Sequence, residues 1–209
     1  MTKRLIATFA SLTLSVCLTG CISKTRFPAY YTLHVPPAVD APSAQGTRPS
    51  LAVREFRSPA YLGQGAIVYR TSPEEVGFYQ YHRWAVDPRE FLTNAIIDRL
   101  RATGKFAGVT AYDGHSDADF VLSGRLERLE EVDYEGGVSV EVSLSAQITD
   151  SRAGKAIWTN TASETTRVEK RSVPAVVAEM SEAMDRAIQE LLAPLNTSTI
   201  SRLNPSLPE

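Results

Sequence analysis

A strict alternation of apolar and polar residues between positions 138 and 148 is the clearest pattern in the chain. Valine, leucine, alanine or isoleucine occupies every second position, with serine, glutamate or glutamine between them. Because successive side chains of a strand point to opposite faces, this alternation predicts a strand with one buried and one wet face. The β-prone segments 118–134 and 155–168 flank it across glycine-containing turns. Together the three segments predict an antiparallel meander.

Two helices are predicted, one before and one after the meander in the sequence. The first begins at Asp87 and Pro88, an N-cap followed by a proline in the first turn, and Glu90 is spaced to bond back to the cap amide. Gly104 suits the left-handed residue that ends such a helix. Its expected buried face comprises Phe91, Leu92, Ala95, Ile96 and Leu100. A second, amphipathic helix is predicted over residues 174–195.

Short β-prone segments separated by proline and glycine turn signals predict further strands. They cover residues 29–35, 50–56, 66–70, 76–81 and the surroundings of Val109, and the third and fourth form a hairpin. Strands and helices in this order suit an α/β fold. We expect a single compact domain in which two main helices pack on a mixed β-sheet that contains the long antiparallel meander.

The N-terminus has the pattern of a bacterial lipoprotein signal. Lys3 and Arg4 precede an apolar run over residues 5–16, which is shorter than the roughly 20 residues that a membrane-spanning helix needs. Residues 18–21, Leu-Thr-Gly-Cys, resemble a lipobox, in which the cysteine is acylated, for example with palmitate, and becomes the new N-terminus. The alternative is an ordinary secreted protein in which Cys21 stays unmodified.

These features divide the chain into four parts. They are a signal peptide (1–20), a lipid-anchored tether (21–28), a folded domain (29–195) that contains a Pro/Ala/Ser-rich loop (36–49), and a disordered tail (196–209). Cys17 leaves with the signal, so acylation of Cys21 leaves no thiol for a disulfide or a metal site. Ile22 stands where an aspartate would resemble a signal for inner-membrane retention. We therefore expect the periplasmic face of the outer membrane in a Gram-negative envelope.

Charge and candidate chemistry narrow the function. The whole chain has a net charge of -2, and its 22 basic residues fall to 20 against 24 acidic ones when Lys3 and Arg4 leave. No continuous basic stretch marks a nucleic acid partner, and the three histidines fit no metal-ligand spacing. An acidic run is expected to be a solvated strand face and loop tip; it comprises Glu127, Glu130, Glu131, Asp133 and Glu135. We expect no nucleic acid, no cofactor, no metal and no enzymatic activity.

Six aromatic residues lie between positions 61 and 84, and they predict either half-buried rings packed on the sheet or a contact surface. Among them, Ile-Val-Tyr-Arg at 67–70 is followed by Tyr-His-Arg-Trp at 81–84, directly ahead of the capped helix. With the lipobox and the Tyr-Tyr-Thr-Leu strand at 30–33, these segments resemble the ABC-type transport auxiliary lipoproteins, the PqiC-like and YmbA-like family.

The resemblance extends over the mature chain and implies a non-catalytic accessory or docking component of a phospholipid transport system. Its partners would be an ABC permease and ATPase and a periplasmic MCE-domain protein, and the fold would be similar to the N-terminal domain of TolB. A bound phospholipid and a homo-oligomer stay open. So do two other functions, a structural lipoprotein of envelope assembly or secretion, and a lipid-binding carrier module.

Arginine and aromatic residues are enriched in binding hot spots. The candidate partner or ligand contacts are therefore Tyr69, Arg70, Tyr81, Arg83 and Trp84. The alternative is a structural role, in which Trp84 fills the core ahead of the helix and Arg83 binds backbone carbonyls.

Overall fold

The computed structural model describes residues 26–37, 39, 48–115, 117–134 and 136–195, and within these ranges eight strands form one mixed sheet. The strands are β1 (Ala29–Tyr31), β2 (Ser50–Val53), β3 (Ala66–Arg70), β4 (Val76–Trp84), β5 (Gly108–Ala111), β6 (Phe120–Val132), β7 (Ser139–Asp150) and β8 (Ala156–Arg167). The helices are α1 (Pro88–Ala102) and α2 (Val173–Leu192), and a short 3-10 helix covers Ala60–Gln64. The predicted signal peptide, Cys21 and the tail lie outside the described residues.

Strand β6 is the centre of the sheet. It pairs along its length with β7, which pairs in turn with β8, so the predicted antiparallel meander is confirmed. Its other edge is shared: the first part pairs in parallel with β2 and the last part with β3. Strand β5 extends the sheet beyond β2, while β4 and β1 extend it beyond β3. Two branches of the sheet therefore meet on one strand.

Both helices lie on the same face of this sheet. Helix α2 packs along β7 and β8, and Arg99 of α1 forms an ion pair with Asp185 of α2. The strand positions beneath α2 are the apolar members of the β7 alternation, and all are buried: Val140, Val142, Leu144, Ala146 and Ile148. Burial of each large aliphatic side chain contributes roughly 1.5–3 kcal/mol. The expected α/β domain with two helices on a mixed sheet is thus confirmed.

A β-bulge in β6 keeps the leucines of this strand on the helix side. Leu126 pairs with Leu144 and Leu129 pairs with Val142, although the two β6 residues are three positions apart and would face opposite sides of a regular strand. The register shift between Leu126 and Arg128 supplies the extra residue that makes this possible. Without the bulge, Leu129 would face the opposite side of the sheet.

The first two strands are shorter than the pattern predicts. β1 ends at Tyr31 rather than at residue 35, because Leu33 turns into the core at 5% exposure and the His34 amide donates to Ser181 Oγ of α2 at 3.1 Å. β2 ends at Val53 rather than at residue 56. After β1 the chain thus turns into the core. The residues after β2 stay bonded to β6, since the Arg54 amide donates to the Leu122 carbonyl oxygen and Arg57 forms an isolated bridge with Arg125.

The cap of α1 follows the prediction at Asp87 and departs from it at Glu90. The Arg89 amide donates to Asp87 Oδ1 at 2.9 Å, and the Arg89 guanidinium also binds this carboxylate. These bonds lower the pKa of Asp87. Within the described part of the chain, no bond from Glu90 to the cap amide is formed. Gly104 has φ +61, as a helix-ending residue requires.

Gly124→Val is expected to destabilise the fold because a Cβ at this position would lie 2.3 Å from Phe56 Cε1 and 2.7 Å from the Ser145 carbonyl oxygen. Overpacking of this kind costs typically about 1–3 kcal/mol. Gly108→Val in edge strand β5 is the matched control, because nothing lies within 4 Å of its Cβ position. Urea unfolding of both variants measures the difference. Equal stabilities would show that Phe56 does not depend on a bare backbone at Gly124.

Candidate functional site

The face of the sheet opposite the helices contains a polar concavity of about 1040 Å³. Strands β6, β7 and β8 form its floor with the polar members of their alternation, and the segment after β2 and the turn before β8 form its sides. The floor side chains include Ser123, Ser145, Gln147, Thr159 and Thr161. These hydroxyl and amide groups can donate and accept hydrogen bonds without carrying a fixed charge.

Two arginines at the rim of this concavity are available to a partner. Arg54 and Arg57 are exposed, and neither forms an ion pair with another described residue. Arg54 instead lies over the ring of Tyr112, with its Cζ 4.1 Å from the ring centroid. A third arginine, Arg125, is paired with Glu127 at 3.2 Å. Sequence reasoning missed this surface because its members are single polar residues from segments that only the sheet brings together.

The five predicted contact residues do not form one site. Trp84 is only 7% exposed and belongs to the hydrophobic core, which favours the structural alternative for this residue. Tyr69 aligns with Glu131 in the β3–β6 register, whereas Arg70 aligns with Val132, so these neighbours point to opposite faces. Tyr69 also covers Gly77, whose Cβ position lies 2.3 Å from Tyr69 Cζ.

Arg70 forms an ion pair with a buried carboxylate. Its Nε lies 2.6 Å from Oε1 of Glu130, whose side chain is completely buried, and the Tyr61 hydroxyl lies 3.5 Å from Oε2. The hydrogen bond to Glu130 raises the pKa of the Arg70 guanidinium. Burial, followed by the charge of Glu130, raises the pKa of the Tyr61 hydroxyl. Arg70 is thus held by the fold.

A second buried carboxylate lies on the helix side of the sheet. Glu131 is 6% exposed and accepts a hydrogen bond from the Tyr79 hydroxyl at 2.8 Å. Burial raises the pKa of Glu131, and burial together with this carboxylate raises the pKa of Tyr79. The expectation of a solvated acidic run is therefore wrong for Glu130 and Glu131. They occupy opposite faces of β6, and Tyr61 with Arg70 covers one while Tyr79 covers the other.

Tyr81 and Arg83 lie near the point where the N-terminal segment joins the sheet. The Cζ of Arg26 stands 4.8 Å from the centroid of the Tyr81 ring. Arg83 donates from Nη2 to the Gln64 carbonyl oxygen at 2.8 Å. The carbonyl bond matches the structural alternative for Arg83, although the side chain also remains partly accessible.

Among the described residues, no group of three or more histidine, cysteine or acidic side chains is placed to hold a metal ion. Within the same ranges, no helix is both long and apolar enough to cross a membrane.

Three solved structures share the fold at low sequence identity. Protein XCC0632 from Xanthomonas campestris, described as a DUF330 protein, has a TM-score of 0.74 and 18% identity over 85% of this chain and 99% of its own. An uncharacterized protein has a TM-score of 0.62 and 16% identity over 81% and 99%. The hypothetical protein CT253 from Chlamydia trachomatis has a TM-score of 0.50 and 12% identity over 75% and 99%.

These structures share the fold of this chain, which is an α/β domain with two helices on one face of a mixed sheet. The profile of the ABC-type transport auxiliary lipoprotein component matches residues 31–191, which include every strand from β2 onward and both helices up to residue 191. The chain therefore belongs to this family of transport auxiliary lipoproteins, as the sequence resemblance predicted. No curated protein matches the chain.

Arg70→Met is expected to destabilise the domain by about 3–5 kcal/mol, because it leaves the Glu130 carboxylate buried without a counter-charge. Replacing both residues with methionine should recover most of this loss, since no buried charge remains. Arg128→Met is the matched control: it removes a more exposed pair, Arg128 with Glu141, and should cost at most about 1 kcal/mol. Chemical unfolding provides the measurement. A fully stable Arg70→Met variant would instead support a free contact role for Arg70.

Glu131→Gln is expected to stabilise the protein increasingly as pH rises from 4 to 7. Burial raises the folded-state pKa of Glu131, so the carboxylate ionises first in the unfolded chain. Wild-type stability therefore falls as pH passes upward through the unfolded pKa, about 4.3, and the glutamine variant avoids this loss. Its carbonyl can still accept from Tyr79. Tyr79→Phe should increase the pH sensitivity, because the hydroxyl stabilises the ionised carboxylate. Melting temperatures of the wild type and both variants between pH 4 and 7 test these expectations. A difference from wild type that does not change with pH would contradict the raised pKa of Glu131.

Proposed function

We propose that this protein is an outer-membrane-anchored periplasmic lipoprotein that serves as a non-catalytic docking component of an ABC transporter and MCE-domain phospholipid transport system. The observation that carries the proposal is the family match, which begins at residue 31, only ten residues after the lipobox cysteine Cys21. A short acylated tether followed directly by a folded domain suits a protein that holds its partner close to a membrane.

The polar concavity is the surface we assign to the protein partner. Neither helix covers it, and Arg54 and Arg57 at its rim have no ion pair within the described ranges. Non-obligate interfaces, between proteins that are also stable apart, are about as polar as the rest of the protein surface and contain many hydrogen bonds. The serine, threonine and glutamine side chains of the floor suit such an interface better than a buried permanent one.

The same lining argues for docking rather than for lipid carriage. Small-molecule and lipid pockets bury most of their ligand between predominantly apolar walls. The concavity is open, and most of the side chains on its floor carry hydroxyl or amide groups. An acyl chain placed there would leave many of these polar groups without hydrogen bonds, at a cost in free energy.

Site-specific photocrosslinking in intact cells tests this proposal. The full-length precursor carries p-benzoylphenylalanine in place of Gln147, an exposed side chain in the concavity, and in a matched variant in place of Glu182, an exposed side chain on α2. We expect the Gln147 variant to form a product that contains an MCE-domain protein, identified by mass spectrometry, and the Glu182 variant to form none.

The Cys21→Ser precursor serves as the control for the anchor. It should lose palmitate labelling and signal cleavage, and the crosslink from position 147 should disappear with them. Crosslinking only from position 182, or a product at position 147 without an MCE-domain protein, would overturn the assignment of the concavity. Palmitate labelling and cleavage that persist without Cys21 would overturn the anchor itself.

A further inference from the structure

Exposed aromatic side chains and arginines without an ion pair to any described residue lie together at the edge of the sheet where the N-terminal tether enters. The exposed fractions of Phe27, Tyr30 and Phe78 are 81%, 63% and 38%. Arg26 and Arg83 lie beside them, and neither forms an ion pair with any described residue. We refer to these five residues as the β1–β4 corner.

The strand register places Tyr30, Arg83 and Phe78 on one face. Tyr30 aligns with Arg83, and Arg83 aligns with Ala66 of β3. Two residues further along β3, Val68 aligns with Phe78. Because side chains alternate along a strand, Ala66 and Val68 share a face, and their partners share it with them. The bulge in β4 between these pairs brings Phe78 and Arg83 to adjacent positions on the face.

The short tether limits the distance between the β1–β4 corner and Cys21. Arg26 lies against the ring of Tyr81, so the chain reaches the domain at this edge. Five residue steps separate Arg26 from Cys21, and even a fully extended chain of that length spans at most about 18 Å. If Cys21 carries acyl chains in the bilayer, the β1–β4 corner is the part of the domain that is held nearest to the lipid surface.

The chemistry of the corner fits a bilayer interface. Aromatic side chains concentrate at the level of lipid headgroups. Guanidinium groups bind phosphate oxygens through charge-assisted hydrogen bonds, while their aliphatic stems lie along apolar surface. The chain showed no continuous basic stretch because Arg26 and Arg83 are far apart in the sequence and only the β1–β4 pairing brings them together.

We infer that the β1–β4 corner is a second membrane contact, in which Phe27, Tyr30 and Phe78 enter the headgroup layer of the bilayer and Arg26 and Arg83 bind lipid phosphates. This inference rests on the proposed acyl anchor at Cys21. The corner orients the domain, whereas the anchor only retains it. The concavity can stay open while the corner touches the membrane, because the sheet is twisted. Five strand-to-strand steps from β1 to β8, at roughly 20–25° each, turn the sheet face by on the order of 100° between the two sites.

Single-cysteine labelling of the full-length acylated protein tests the inference. Acylation consumes Cys21 and Cys17 leaves with the signal, so one introduced cysteine is the only reactive thiol. Tyr30→Cys, Phe78→Cys and Ala29→Cys variants are purified in detergent, labelled with the environment-sensitive dye NBD and reconstituted into phosphatidylethanolamine/phosphatidylglycerol vesicles. Ala29 is the matched control, because it is exposed, precedes Tyr30 in the same strand and points to the opposite face.

We expect the emission of the Tyr30 and Phe78 labels to shift to shorter wavelength in vesicles and to be quenched by a lipid-borne quencher, while the Ala29 label stays in a water-like environment. Phe78 is remote from the anchor in sequence, so its response cannot come from tether length alone. Arg26→Gln with Arg83→Gln should reduce the shift at both positions.

Each other outcome overturns the inference. Equal emission from the labels at positions 29 and 30, or a water-like signal at position 78, would show that the tether holds the domain without a defined contact face. Protein that is not acylated and does not enter vesicles would overturn the anchor as well, and the mass of the N-terminal peptide separates that failure from the first. Melting temperatures confirm that the labelled variants are folded.

Discussion

The register of β6 is the constraint on which the rest of the structure depends. This strand pairs with β7 on one edge and divides the other between β2 and β3, so both branches of the sheet take their alignment from it. The bulge between Leu126 and Arg128 lets both Leu126 and Leu129 face the helices. A one-residue slip would place the apolar side chains of one half of the strand in solvent.

The same register explains why two glutamates are buried next to each other. Glu130 and Glu131 occupy opposite faces, and each is covered by groups from the β3–β4 hairpin or the 3-10 helix before it. Buried charges are tolerated only when partners bind them, so Arg70, Tyr61 and Tyr79 have structural roles. Arg70, in its ion pair, and Trp84, in the core, are therefore not free contact residues. The groups open to a partner are those that are exposed and form no ion pair with a described residue.

Those unpaired groups lie on two parts of the open face, far apart in the strand order. The concavity over β6 to β8 is polar and carries Arg54 and Arg57 at its rim, whereas the β1–β4 corner is aromatic and adjoins the tether. Helices α1 and α2 cover the opposite face and bury the apolar half of the sheet. A one-sided helix layer therefore leaves one face available for recognition, which suits an auxiliary component of a transport system.

The sequence by itself determined the elements and the family. The alternation in β7, the Asp87-Pro88 cap and the amphipathic period of α2 are local patterns, and local patterns can be read from neighbouring residues. The lipobox and the Tyr81 to Trp84 segment carried the family resemblance. Tertiary structure alone decided the branching of the sheet at β6, the burial of Glu130 and Glu131, and the meeting of Arg26 with Tyr81. Each of these depends on contacts between residues distant in the chain, to which no local periodicity is sensitive.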